Sequence, residues 1–291
     1  MASHTGSIII SYEQLSKGNY VRTGNDLSIT TQDTRGDLET VMLKNYFLTS
    51  LDLVTEKGST LKGHIVNLLA IDSQPNTNVA FEDPQAIGKI TTSESAINVQ
   101  RMDQTIQLNE GDFIYLNDVI KSNTNAVGIA FKDETTMSVD PNSTMVVDNF
   151  VYDAENPTVG SMNANVLEGN FSFVSGQIAK TGNDAMKVTT PVLTIGVRGT
   201  QVAGKANTEG EDNEIVLLPN EDGSVGQVMI ANESGEVLLT KAYEATTIAN
   251  AYMPPTVPVI LPKTEVLKKF ATTISTTRKT CLLYTSDAAD E

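Results

Sequence analysis

From Ile87 to about Asn250 the chain is a succession of short alternating runs, each closed by turn residues. Ile97 and Val99 fall on one side of a strand, as do Ile106 and Leu108. Val127, Ile129 and Phe131 alternate with Gly128 and Ala130. The same period holds for Met137 with Val139, Met145 with Val147, Phe171 with Phe173, Ile215 with Leu217, Val228 with Ile230, and Val237 with Leu239. Turn signals stand between them at Asn109-Glu110-Gly111, Asp133-Glu134, Asp140-Pro141-Asn142, Glu168-Gly169-Asn170, Glu221-Asp222-Gly223 and Ser234-Gly235. A period of two puts one face of each strand on a core and the other in solvent. Many short strands with such punctuation predict an all-β sandwich, barrel or short solenoid. There is no strict internal repeat, which argues against a long solenoid.

One stretch is more specific than the rest: V-T-T-P-V-L-T-I-G-V-R-G-T-Q-V-A-G, Val188 to Gly204. Leu193, Ile195 and Val197 share one face of the predicted strand, and Gly196 and Arg198 the other. Pro191 is expected to start the strand, where no ladder bond is lost. Gly196 and Gly199 flank the arginine and predict a bulge or a close backbone approach. The glycines do not make a phosphate loop, because no G-K-[ST] and no helix follow. Arg198 has two readings: a bidentate donor to an anionic ligand, or a structural group bonded to a carboxylate or to carbonyls. The structural reading is preferred. Thr200 is a β-former whose hydroxyl can satisfy a local backbone group.

This stretch resembles the signature of the FecR-type domain, an all-β extracytoplasmic module. Further matching pieces precede it in family order. They are L-N-E-G-D at Leu108 to Asp112, F-K-D-E-T-T at Phe131 to Thr136, D-N-F-V-Y-D at Asp148 to Asp153, and L-E-G-N-F-S-F-V-S-G-Q-I-A-K-T-G at Leu167 to Gly182. The V-S-G-Q-I-A-K form looks most like FecR domains embedded in large secreted repeat proteins. Pro191, Gly196, Arg198, Gly199 and Thr200 are the signature residues and are expected to be structural.

Residues 1–17 read as a flexible N-terminus. Residues 18–71 read as a small β-rich domain: a hairpin of Tyr20-Val21 with Leu27-Ile29 across residues 23–26, a strand carrying Val41, Leu43, Tyr46 and Phe47, and a strand at Leu51 to Thr55. A short helix follows, capped by Ser59 or Thr60 and carrying Leu61, Ile65, Leu68 and Leu69. G-N-D-L at Gly24, K-N-Y-F at Lys44 and L-V-T-E-K-G-S-T-L at Leu53 resemble the prefix-like N-terminal domain of Bap-type surface adhesins. Residues 72–86 read as a polar linker with two prolines, ahead of the FecR-type domain at 87–250. Residues 251–280 begin with the proline-rich M-P-P-T-V-P-V-I-L-P, read as extended chain, and end in a short helix with Val266, Leu267 and Phe270 on one face. Its expected partner is the β domain or chain further downstream. Residues 281–291, C-L-L-Y-T-S-D-A-A-D-E, look like the translation of a transposase adapter used in short-read library preparation and are set aside.

Setting them aside removes three negative charges, at Asp287, Asp290 and Glu291, so the net charge of -16 becomes -13. The balance stays acidic, which argues against nucleic acid and anionic membrane surfaces as partners. The only cysteine, Cys281, goes with them, so neither disulfide nor thiolate site is expected. His4 and His64 are the only histidines and have no zinc spacing. His64, the one placed beside an apolar stripe, reads as an ordinary edge residue. The acidic runs Glu209 to Glu214 and Asn220 to Gly223 lack an EF-hand pattern and read as solvated loops. No run approaches the ~18 apolar residues of a membrane span, and the N-terminus lacks the basic and apolar parts of a Sec signal.

No catalytic constellation, metal site or cofactor is expected. The resemblance implies a non-enzymatic, extracytoplasmic structural module at the start of an adhesin-like surface or secreted protein. Its implied partners are downstream repeats of the same chain and envelope or secretion components. The second reading is the extracytoplasmic signalling domain of a FecR-type regulator of iron uptake. The first is preferred here because residues 1–86 hold no membrane helix. An enzyme acting on glycans or peptides is the weakest reading, since paired carboxylates carry no information in so acidic a chain.

Overall fold

The computed structural model describes residues 6–32, 35–73, 86–102, 104–207 and 209–287. The linker assigned to 72–86 and His4 lie almost wholly or wholly outside these.

The N-terminal part is not a flexible lead into a hairpin domain. β1 (Ser7–Ile9) pairs in parallel with a later strand, and α1 (Tyr12–Lys17) follows directly. α1 forms despite its six residues because Ser11 and Gln14 make a reciprocal capping box. β2 (Asn19–Thr23) and β3 (Asp26–Gln32) form the expected hairpin, with Gly24 at φ 60 in the first turn position. β4 (Leu38–Leu43) ends before Tyr46 and Phe47, which lie in the one-turn helix α2 (Tyr46–Thr49) rather than a strand. Asn45 and Ser50 at either end are left-handed, so the chain turns in and out of α2 sharply, and Tyr46 is buried with its hydroxyl on the Leu51 carbonyl.

β5 (Asp52–Val54) and β6 (Thr60–Leu61) complete a three-stranded sheet with β1. The next helix, α3 (Gly63–Leu69), therefore starts later than Ser59 or Thr60. Its first N–H, from Gly63, is taken by the Asp52 carboxylate at 2.9 Å. β7 (Ile71–Asp72) joins β2 at the edge of the β4-β3-β2-β7 sheet.

From residue 86 the chain runs through β8 (Ala86–Thr92), β9 (Ile97–Arg101), β10 (Gln104–Leu108), β11 (Phe113–Tyr115), β12 (Val119–Ser122), β13 (Val127–Phe131) and β14 (Thr136–Val139). It continues through β15 (Ser143–Tyr152), β16 (Gly160–Val174), β17 (Met186–Thr189), β18 (Thr194–Arg198), β19 (Gln201–Ala206) and β20 (Asn213–Leu218). It ends with β21 (Gln227–Asn232), β22 (Gly235–Leu239), β23 (Glu244–Ile248) and β24 (Val259–Ile260). These are the expected all-β fold. One sheet has the order β11-β8-β13-β14-β16-β19-β20-β23-β24. The other has the order β10-β9-β12-β15-β16-β17-β18-β21-β22.

The long strand β16 belongs to both. Its first half pairs with β15 and β17, and its second half with β14 and β19. The sheets thus curl about one core, a flattened barrel-like sandwich filled by the residues whose alternation was visible in sequence, among them Val99, Ile129, Phe131, Phe171, Phe173, Ile195 and Ile215.

Both outer faces are partly covered. The N-terminal part lies on the second sheet: Val119, Val146 and Leu167 share one cluster with Leu15, Leu53, Ile65 and Val66. The other face is covered by α4 (Lys263–Lys269) and α5 (Ala271–Asp287), where only a short helix was expected. The β domain is their partner: Val266, Phe270 and Ile274 meet Ala203, Val216 and Leu218. The proline-rich segment is extended up to β24, which adds two residues to the sheet edge. α5 runs on through 281–287, the first residues of the adapter-like stretch.

Candidate functional site

Thr200, the last of the signature residues, lies where three of the matching motifs meet. Asp133, read in sequence as a turn signal, is fully buried. Its carboxylate accepts from Thr135 N–H at 3.1 Å, the Thr135 hydroxyl at 2.7 Å and Ile178 N–H at 3.3 Å. Its carbonyl accepts from Gln177 N–H at 2.7 Å, and the Thr135 hydroxyl accepts from Gly176 N–H at 2.9 Å. Burial pushes the Asp133 carboxyl above the ordinary carboxylate range, and these hydrogen bonds pull against it. The tie allows no side chain at Gly176, whose Cβ would land on the Asp133 carbonyl.

From Ser175 the network continues into the signature. Ser175 N–H donates to the Thr200 carbonyl at 3.1 Å, and Thr200 N–H donates to the Ser175 hydroxyl at 2.8 Å. The Thr200 hydroxyl, buried, reaches the Leu218 carbonyl and accepts from Gly226 N–H, both at 3.4 Å. F-K-D-E-T-T, V-S-G-Q-I-A-K and R-G-T are thus one hydrogen-bonded knot at the end of the sandwich where these interior strands turn. Sequence reasoning located all three motifs and missed that Asp133, Thr135, Ser175 and Gly176 hold them together, because their separations in the chain carry no signal of contact.

Three expectations for the signature change. Pro191 does not start a strand: it sits in the turn between β17 and β18, and its carbonyl accepts from Thr60 N–H at 2.8 Å. Gly196 makes no bulge, since β18 keeps unbroken register with Lys187 on one side and Met229 on the other. Gly199 is the residue whose conformation demands glycine. At φ 59 it turns the chain from β18 in one sheet to β19 in the other.

Arg198 is exposed, and its guanidinium donates to the Asn183 side-chain carbonyl at 3.0 Å. Among the described residues no carboxylate pairs with it. It borders a shallow groove of about 190 Å³ with Gly196, Gln227, Met229 and Leu238. An exposed arginine beside two partly exposed apolar side chains suits contact with a partner surface rather than chemistry.

Three of the other candidates, Glu209, Tyr12 and His64, join the N-terminal part to the sandwich. Glu209, expected in a solvated loop, accepts through one oxygen from the Thr55 hydroxyl at 2.5 Å, the Ser59 hydroxyl at 2.9 Å and Ser59 N–H at 3.3 Å. Glu214, from the same acidic run, is buried and pairs with Lys269 of α4 at 2.8 Å. Asp222 keeps the expected role, accepting from Ser224 in an exposed turn. Tyr12 donates to the Asn207 carbonyl at 2.6 Å, and burial, with Glu168 and Glu209 nearby, raises its phenol well above the ordinary value. His64 lies 2.6 Å from Asp148 across the junction, so it is an interface residue and not a bare edge. No hydroxyl or thiol nucleophile is bonded to it among the described residues. No group of three potential ligands that could hold a metal occurs among them either, and no helix is long and apolar enough to cross a membrane.

Residues 118–225 match the family model of the FecR protein. No curated protein matches the chain. Two crystal structures of a candidate anti-sigma factor from Parabacteroides distasonis ATCC 8503 are similar. The 1.65 Å structure has a TM-score of 0.38 and 15% identity over 52% of this chain and 64% of that one. The 2.50 Å structure has a TM-score of 0.36 and 14% identity over 53% and 73%. The chain spans less than two thirds of the first of these, and at such scores the likeness carries no argument. The sandwich thus holds a FecR-family domain, and the match stops short of residues 18–71. This corrects the adhesin-like reading. The matching family is that of the FecR protein, which favours the second reading from sequence, a FecR-type regulator, over the first.

Proposed function

We propose that the sandwich is the extracytoplasmic sensory part of a FecR-type signalling regulator and works by binding, not by catalysis. The observation that carries this is the family match over 118–225, whose motif residues converge in the Asp133–Thr135–Ser175–Thr200 knot. A knot of buried, mutually satisfied polar groups rigidifies one end of the sandwich, where interior strands turn. A rigid end suits a domain that passes a binding event on to another part of a regulator. The exposed Arg198, Met229 and Leu238 lie near that end.

A chimera tests the reading. Residues 6–280 replace the extracytoplasmic part of a FecR-type regulator, and a reporter driven by its sigma factor is measured with and without the surface signal. Reporter output that changes with the chimera's expression supports the regulatory role. Output indistinguishable from that of a regulator with its extracytoplasmic part deleted overturns it.

A further inference from the structure

A second site lies on the outer face of the second sheet, where the N-terminal part ends and the turn carrying Pro191 begins. Strand register puts Asn165, Thr189, Thr194 and Ala231 side by side across β16, β17, β18 and β21. Their neighbours Ala164, Val188, Ile195 and Ile230 point into the core, so this row faces outward. Here the row floors a cleft of about 150 Å³ walled by Thr60 and Lys62 on one side, Thr190 and Pro191 on another, and Asn232 and Glu233 on a third.

Several features suit this cleft to a ligand. Asn165 is 6% exposed, yet its side-chain nitrogen has no hydrogen-bond partner, a state that buried donors rarely keep. The Thr194 hydroxyl and the Glu233 carboxylate also have no partner among the described residues. Lys62, the cleft's cation, is already held by Asp52 at 2.9 Å, so no free positive charge faces an anion. Leu61, Val192 and Leu193 add apolar wall. At the mouth, Gly58 (φ 87) admits the ring of Tyr252, since a Cβ there would sit 2.6 Å from the ring. The volume is below the ~300–1,000 Å³ of drug-sized pockets.

We infer that this cleft binds one neutral, polyhydroxylated ring, either a free monosaccharide or the end of a glycan. An amide donor, a hydroxyl and a carboxylate acceptor around an apolar wall match alternating O–H groups on a C–H framework, and the unpaired carboxylate disfavours anions. The inference goes beyond the regulatory reading and does not depend on it.

Saturation-transfer NMR on the whole chain tests it, with glucose, galactose, mannose and N-acetylglucosamine singly, then cellotetraose and chitotetraose, with glucuronate as the anionic probe. Transfer from at least one neutral sugar is expected. A tetrasaccharide signal without a monosaccharide signal assigns the site to glycan ends. Thr194→Val and Asn165→Leu should each weaken binding about five- to tenfold, the loss expected for one hydrogen bond. Glu233→Ala, at an exposed position, should do the same without disturbing folding, and Arg198→Ala should leave binding unchanged. Transfer from no neutral sugar, tighter binding of glucuronate, or binding equal in the wild type and Glu233→Ala overturns the inference.

Discussion

The two outer faces of the sandwich are covered by different chemistry. The N-terminal part is seated by apolar side chains: Val119, Val146 and Leu167 of the sheet join Leu15, Leu53, Ile65 and Val66 in one cluster. Around them polar contacts run from Glu209 to Thr55 and Ser59, and from Gln100 to the Leu68 carbonyl at 2.9 Å. On the opposite face a smaller apolar cluster holds Val266, Phe270 and Ile274, and the rest of α5 is seated through small polar residues. Thr273, Thr277 and Thr280 are fully buried, and Ser138 and Ser172 lie beneath them. Ser138 bonds the Thr273 carbonyl at 2.8 Å and the Thr277 hydroxyl at 2.6 Å, and Thr277 reaches the Ser172 carbonyl at 3.3 Å. A methyl-rich seat gains from leaving water at about 25 cal/mol per Å². A threonine seat exchanges hydrogen bonds with water for similar ones in the protein, for a net gain of only ~1 kcal/mol each.

The largest expected effect is on the apolar seat. Leu167→Ala should destabilise the chain by about 3 kcal/mol through transfer and cavity terms. Denaturant unfolding checks it, and a loss below about 1 kcal/mol would mean that the N-terminal part barely depends on its dock. Next, Gly128→Leu should cost about 2 kcal/mol by overpacking, because its Cβ would strike the Thr280 hydroxyl and come within 3.1 Å of the Thr276 methyl. Hydrogen exchange should show residues 271–280 losing protection while residues 7–72 keep theirs, and loss in both regions would break the comparison.

Glu209→Ala should cost about 1.5 kcal/mol, since it strands the Thr55 and Ser59 donors in a partly buried place. Faster proteolysis at residues 55–60 is the readout. The double change Ser138→Ala with Thr277→Val removes both hydroxyls at once and should cost about 1 kcal/mol, because the two leave together and the Thr273 and Ser172 carbonyls that accept from them stay within helix α5 and strand β16. A loss larger than that of Leu167→Ala would reverse the ranking of the two faces. Arg198→Ala should stay within about 0.5 kcal/mol by chemical denaturation, as expected for an exposed side chain with one neutral hydrogen bond.

Period-two patterning made much of the sandwich legible before any coordinates. Ile129 and Phe131, Phe171 and Phe173, and Ile195 and Val197 are all core residues on the predicted faces. It was less informative where both faces are covered. Every residue of β13 is buried, because Gly128 and Ala130, read as the open side, lie under α5. Local pattern also failed at Tyr46 and Phe47, two β-forming residues held in a helical turn by left-handed residues on both sides. At the signature, the motif pointed to the right place but to the wrong mechanics. Glycine at 199 is needed for a corner between sheets, glycine at 196 sits in a plain ladder, and Arg198 holds an amide rather than a carboxylate.

The sequence by itself determined the all-β class, the strands of the core and the family of residues 118–225, because alternation and motif order are properties of neighbouring residues. Only the tertiary structure decided that Asp133, Thr135, Ser175 and Thr200 form one network, that Glu209 is a docking group, and that an asparagine and two threonines floor one cleft. Those relations join positions far apart in the chain, and contact at that distance is set by how two sheets close on a shared strand, which no local period encodes.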